Sequence, residues 1–260
     1  MSKSSVLISI CGDADSSDWE IGKSVLFLLE SVDRRLLPER MGNSEPLKEM
    51  FAGIDSAQHH WAPEVKISYE GSAFFAKSNF LWIRRKAIKG SGHVMHRSVN
   101  RFGDVKPTWL LIKYAFDRNV DWLRLFKELC VLLKASYGTL HLLTQVETSE
   151  DAFGGAADAS YATTDFVDGL PPIGLAERGL ANLSWANYFG PALRMEVSEQ
   201  KVREAGFPVE QCGDGVLLQV TSNISVVEDD FLEFSQRRSK LRSMFRDGLF
   251  RINHEPAPIK

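Results

Sequence analysis

Glu64-Val65-Lys66-Ile67-Ser68-Tyr69-Glu70-Gly71-Ser72-Ala73-Phe74-Phe75-Ala76-Lys77-Ser78-Asn79-Phe80-Leu81-Trp82-Ile83-Arg84 is the stretch on which the fold turns. β-Branched and aromatic residues alternate with polar ones on either side of Glu70-Gly71-Ser72, which is the pattern of two antiparallel strands joined by a tight turn. The reading places strands at 64–70 and 74–84. In the second, Phe74, Ala76, Ser78, Phe80 and Trp82 share one face, and Lys77 and Asn79 point the other way.

Toward the N-terminus, Ser5-Val6-Leu7-Ile8-Ser9-Ile10-Cys11 reads as a buried strand. Ser17-Asp18-Trp19-Glu20 is a capping box in which Ser17 caps the Glu20 amide. Ile21, Val25, Leu28, Leu29, Val32 and Leu36 then follow helical spacing up to Pro38, and 39–62 is a loop or short helix. Toward the C-terminus, 85–106 reads as a mobile basic loop and 107–115 as a strand. A helix capped by Asn119 or Asp121 carries the stripe Trp122, Leu125, Phe126, Leu129, Leu132 and Leu133; Gly138 ends it, and a strand occupies 139–146. Residues 147–174, rich in Gly, Thr and Pro, read as a long exposed connection. Beyond it come a strand at 183–190, a helix near 197–205, a hairpin at 207–221 and an amphipathic helix at 228–247 with the stripe Phe231, Phe234, Leu241, Phe245 and Leu249.

Helices separated by antiparallel pairs predict an α+β fold, with mixed or antiparallel sheets and helices packed on them. Both halves show a strand-helix-hairpin-helix order, which raises two related sheet-and-helix halves as an arrangement. The expected organisation is an N-terminal half over 1–146, an acidic linker loop over 147–174 and a C-terminal half over 175–260, all within one compact domain.

The chain has 260 residues, of which 44% are hydrophobic and 25% charged, so it can bury a core and is neither disordered nor fibrous. A net charge of −3 argues against general affinity for nucleic acid. No apolar run approaches the roughly 20 residues of a membrane helix, and the segment after Met1 is too short for a signal peptide, which predicts a cytoplasmic protein without a membrane partner. Cys11, Cys130 and Cys212 are widely spaced, as suits reduced thiols.

Motifs for catalysis fail in spacing or context. Gly22-Lys23-Ser24 resembles the tail of a phosphate-binding loop, but Ser17 stands where the loop needs glycine. His93-x-x-His96 and His59-His60 lack neighbouring ligands at metal spacing, and His141 in a strand reads as a hydrogen-bonded core histidine. No GxSxG occurs. The chain is therefore expected to be no enzyme and to need no cofactor or metal. The rival reading is a hydrolase built on His93, His96 and Asp104, and a third is a non-enzymatic scaffold.

Two charge blocks remain. Residues 84–106 hold seven bases against Asp104, and 147–168 hold six acids and no base. Such blocks steer association with a charged macromolecule. Trp61, Tyr161 and Tyr188, near loops, are candidate anchors.

Gly179-Leu180-Ala181-Asn182-Leu183-Ser184-Trp185-Ala186-Asn187-Tyr188-Phe189-Gly190, with a strand pair ending in Leu81-Trp82 about a hundred residues before it, resembles the immunity-protein-52 family and, more distantly, the type VI immunity proteins of related layout. The resemblance implies an α+β antitoxin without catalysis of its own. It would bind and neutralise a cognate secreted toxin, often a nuclease delivered by a type VI secretion system. Leu183, Trp185 and Phe189 are then expected to fill the core and Asn187 to bond a turn. Because a nuclease holds phosphates in a basic cleft, the expected toxin-facing residues are acids: Asp151, Asp158, Asp165 and Asp168 with Tyr161, and in second rank Asp13 and Asp15. The expected partner is the toxin, with a homodimer as an additional arrangement.

Overall fold

The structure, a computed structural model, describes residues 4–69, 72–99, 103–149, 152–153, 157–170 and 179–256, without the side chains of residues 69, 72–74 and 157–160. The chain divides into two compact units, Ile10–Ala135 and Met1–Ser9 with Ser136–Lys260. Each is an antiparallel sheet with helices, and the fold class is α+β.

The unit of residues 10–135 takes in the end of β1 (Ser5–Gly12), then α1 (Trp19–Val32), β2 (Arg40–Gly42), β3 (Glu49–Met50) and the single turn α2 (Gln58–Trp61). Next come β4 (Glu64–Tyr69), β5 (Ser72–Lys77), β6 (Phe80–Arg84), β7 (Gly90–Met95), β8 (Ser98–Val99), β9 (Val105–Lys106), β10 (Thr108–Ala115) and α3 (Trp122–Leu132). Five strands run in the order β10-β7-β6-β2-β3, each pair antiparallel. β4 with β5, and β8 with β9, form separate ribbons.

The strand expected over 74–84 is two strands in two sheets. Ser78 N–H donates to Pro63 O at 2.9 Å and Asn43 Nδ2 donates to Asn79 O at 2.7 Å, so at these two residues the chain leaves one partner for another. Phe80 and Trp82 go into the core, whereas Phe75 stays exposed on the ribbon. Trp82 stands beside Gly92 of the neighbouring strand, where a Cβ would lie 1.9 Å from the indole, so only glycine admits the ring. Its Nε1–H donates to Tyr114 Oη at 2.9 Å, and Tyr114 in turn donates to Leu36 O at 2.5 Å.

The basic stretch 85–106 is not a loop, since it supplies β7, β8 and β9. Gly92, Val94 and His96 alternate inward, a period of two that glycines and histidines disguise. α1 is capped one residue later than expected: Asp18 accepts from Glu20 N–H, while the Ser17 hydroxyl donates to Asp15 Oδ1 at 2.7 Å. α1 also ends well before Pro38. Asp33 caps it and a 3-10 turn over Arg34–Leu36 follows. Its buried face is Gly22, Val25, Leu26 and Leu29. Gly22 lies against Trp61, where a Cβ would come within 2.4 Å of the ring, so the glycine of Gly22-Lys23-Ser24 serves packing. α3 is capped by Asp121 and ends before Lys134, whose φ is 48°; Gly138, expected as its stop, is inside the next strand.

The second unit holds residues 5–9 of β1, then β11 (Ala135–Leu143), α4 (Gln145–Thr148), α5 (Ala157–Val167) and β12 (Ala186–Phe189). It continues with α6 (Glu199–Glu204), β13 (Val209–Cys212), β14 (Gly215–Gln219), α7 (Val226–Asp229) and α8 (Phe231–Arg242). The sheet order is β13-β14-β12-β11, antiparallel throughout. The supposed linker loop contains α4 and α5: its Ala and Thr residues between Gly-Gly and Pro-Pro form helix, and the flanking turn residues mask it. The long helix expected over 228–247 is broken at Asp230, which caps α8 through Glu233 N–H.

Leu183, Trp185 and Phe189 are buried. Asn187 closes a local ring, its Oδ1 accepting from Ser184 N–H and its Nδ2 donating to Ser184 O, both at 2.9 Å. Trp185 Nε1–H donates to Thr221 Oγ1 at 2.9 Å.

Candidate interaction surface

The acids expected to face a partner belong to both units. Asp13 and Asp15 are exposed between β1 and α1. Asp15 accepts from both the hydroxyl and the backbone N–H of Ser17, bonds that hold its carboxyl below the usual range and keep it ionised. In the other unit, Asp168 is exposed and Tyr161 is 74% exposed on α5. Asp165 is half-buried and bonded by Arg251 at 2.5 Å, so its charge is already compensated. Asp151 and the side chain of Asp158 lie outside the described residues. Of the aromatic anchors, Trp61 and Tyr188 are buried: Trp61 packs on α1 and donates to Ser16 O at 2.6 Å, and Tyr188 lies in β12. Tyr161 alone of the three is exposed.

His96 is a core residue with both ring nitrogens engaged. Nε2 stands 2.6 Å from Trp61 O, an acceptor, and so carries the proton; Nδ1, 3.0 Å from Ser16 Oγ, accepts the hydroxyl. Thr108 Oγ1 completes the cluster, 2.8 Å from Ala14 O and 2.9 Å from Ser16 Oγ. Burial pushes the His96 ring below the ordinary imidazole range, and it does the same to His93, which stacks edge-on against Trp109. Among the described residues, no group of three His, Cys, Asp or Glu side chains is placed to hold a metal ion.

One charged cluster escapes a sequence reading. Glu147, counted above among solvent-facing acids, is fully buried. Its Oε1 accepts from Arg238 Nη1 at 2.7 Å and its Oε2 from His141 Nε2 at 2.9 Å. His141 Nδ1 accepts the Trp185 N–H at 3.0 Å, which leaves its Nε2–H for Glu147 and ties the cluster to the Trp185 segment. Glu255 receives Arg238 on Oε2 and Arg242 on Oε1. Burial alone would raise the Glu147 carboxyl, but His141 and the Arg238 guanidinium outweigh it and hold it at about 2. A trace exists in the sequence: the α8 stripe has a gap between Phe234 and Leu241, and Arg238 sits in it, buried with its guanidinium 4.8 Å from the Phe234 ring.

This is an α+β chain of two sheet-and-helix units, with exposed acids on each. It is similar in fold to a solved structure titled "Pseudomonas aeruginosa T6SS protein PA0821", at a TM-score of 0.62 and 11% identity, over 98% of this chain and 76% of that one. No protein-family model and no curated protein matches the chain. No described helix is long and apolar enough to cross a membrane.

Proposed function

We propose that this protein is an immunity protein of the immunity-52 kind, which binds and neutralises a secreted toxin of a type VI secretion system in the cytoplasm and catalyses nothing itself. The observation that carries the reading is the fold likeness to a type VI secretion protein over 98% of the chain. The Leu183–Gly190 segment adds to it, because the resemblance to the family rests on residues that build the core around Trp185. The toxin proposed is a nuclease, met through carboxylates that mimic phosphates. Asp13, Asp15 and Asp168 are the exposed carboxylates in the described part of the expected set, and Tyr161 is the exposed aromatic.

The test is co-expression with the toxin encoded beside this gene. Protection of the host and a one-to-one complex on gel filtration are expected; growth arrest with folded protein present refutes the reading. Asp13, Asp15 and Asp168 changed together to Asn should slow association with the toxin and flatten its salt dependence with little change in thermal stability, since exposed rim charges act on the encounter rate and Asn keeps an acceptor for Ser17.

A further inference from the structure

The unit of residues 10–135 carries a groove of about 850 Å3 with a different charge character from the acids above. One wall is the ridge of Lys23, Phe27 and Glu30, which recur at i, i+4 and i+7 on α1, with Arg34 beside it in the 3-10 turn that follows the break at Asp33. The other wall is the segment of residues 51–55, with Phe51 and Ile54. Leu37, Pro38 and Arg84 line it further. Phe27 is 53% exposed, although α1 has a complete buried face elsewhere in Val25, Leu26 and Leu29. Its ring therefore contributes nothing to that face and lies open to the groove.

The lining holds four cations against the carboxylates of Glu30 and Asp55. Arg35 is taken up by Asp33 and Asp117 at 2.6 and 3.0 Å. The other three are less fully compensated. Arg34 meets Glu30 at 3.8 Å with both side chains in solvent, a contact worth little. Arg84 donates to the backbone oxygens of Ala87 and Leu37 and lies in the field of the Asp33 and Glu39 carboxylates, which offset part of its charge. Lys23 has no ion pair among the described residues. An apolar strip with cations in excess of carboxylates, Lys23 at one end and Arg34 at the other, suits an amphipathic anion. From Lys23 to Glu30 along α1 is about 10 Å at 1.5 Å per residue, the reach of roughly three residues of extended chain, and Arg34 lies beyond it.

We propose that this groove docks an extended acidic segment of a partner protein, with an aromatic or aliphatic side chain laid on Phe27 and carboxylates meeting Lys23 and Arg34. The proposal is independent of the toxin reading, which relies on carboxylates of this chain. The test is a titration of the 15N-labelled full chain with the peptide acetyl-Glu-Asp-Phe-Leu-Glu-Asp-amide, followed by amide shifts. Saturable shifts confined to residues 23–38, 51–55 and 84 are expected. They should weaken at least tenfold in the double variant Lys23→Glu, Arg34→Glu, and in Phe27→Ser, and should be absent when Lys replaces each acid of the peptide. All three side chains are exposed or half-exposed, and an unchanged melting temperature verifies that the variants fold. No saturable shift at these residues, or equal shifts with the basic peptide, overturns the proposal. Protection in the co-expression assay is a separate readout, so failure of either idea leaves the other standing.

Discussion

Replacing Glu147 by Gln isolates the charge of the buried cluster while keeping its shape. The carboxyl has an ordinary value of 4.5 and sits at about 2 in the fold. A shift of that size corresponds to at most about 3 kcal/mol at 1.36 kcal/mol per unit, since His141, whose Nδ1 accepts the Trp185 N–H, contributes a hydrogen bond and leaves the charge to Arg238. Removing one partner of a buried pair typically costs about 3–5 kcal/mol, in the same range. The amide has one oxygen where the carboxylate has two, so either Arg238 Nη1 or His141 Nε2–H also loses its acceptor. We expect Glu147→Gln to lose about 3 kcal/mol at pH 7, measured by urea unfolding followed by circular dichroism. The folded-state value is depressed, so the contribution is complete above pH 4.5 and is lost as pH falls toward 2. Wild type should therefore weaken through that window, the variant should not share this component, and the two should converge in acid. A variant within about 1 kcal/mol of wild type at pH 7, or a gap that has not shrunk to about 1 kcal/mol by pH 2.5, would show that the charge is not stabilising and refute the reasoning.

Trp185→Ala removes a buried ring and its bond to Thr221, and should cost about 3–5 kcal/mol in denaturant unfolding; a loss below 1 kcal/mol would mean that the segment does not hold the core. Cys11, Cys130 and Cys212 are all buried, and burial followed by the charge of Asp13 pushes the Cys11 thiol up to about 12, so none should react with a disulfide reagent at pH 8 until the protein unfolds. His93 and His96 are held below their ordinary value of 6.5, so folding favours their neutral forms. That contribution is full above pH 6.5 and declines as pH falls, and Glu147→Gln should retain this upper part of the acid profile.

The α+β class was legible in the residues themselves. Alternation at 64–69 and 72–77, and helical stripes at 19–32 and 122–132, are local consequences of periods 2 and 3.6, which any chain must obey to bury one face. Asp13, Asp15 and Asp168 are exposed, as carboxylates without a buried cation to meet them are. The misread segments are those whose burial depends on distant partners. Strand β7 looked like a loop because its inward positions are Gly92, Val94 and His96; the first is set by the Trp82 ring and the last by Ser16 and Trp61 O. Glu147 looked solvated because nothing nearby in sequence offers it a cation. Its neutralising charge comes from Arg238, 91 residues away, and a carboxylate goes into the core only when that guanidinium meets it there. The sequence by itself determined the elements whose period shows in their own residues, such as α1, α3, β4 and β10, since those are settled by neighbours a few residues away. Only the tertiary structure decided which polar groups are core and which are surface, because desolvating a charge is tolerable only against a partner that folding brings into place.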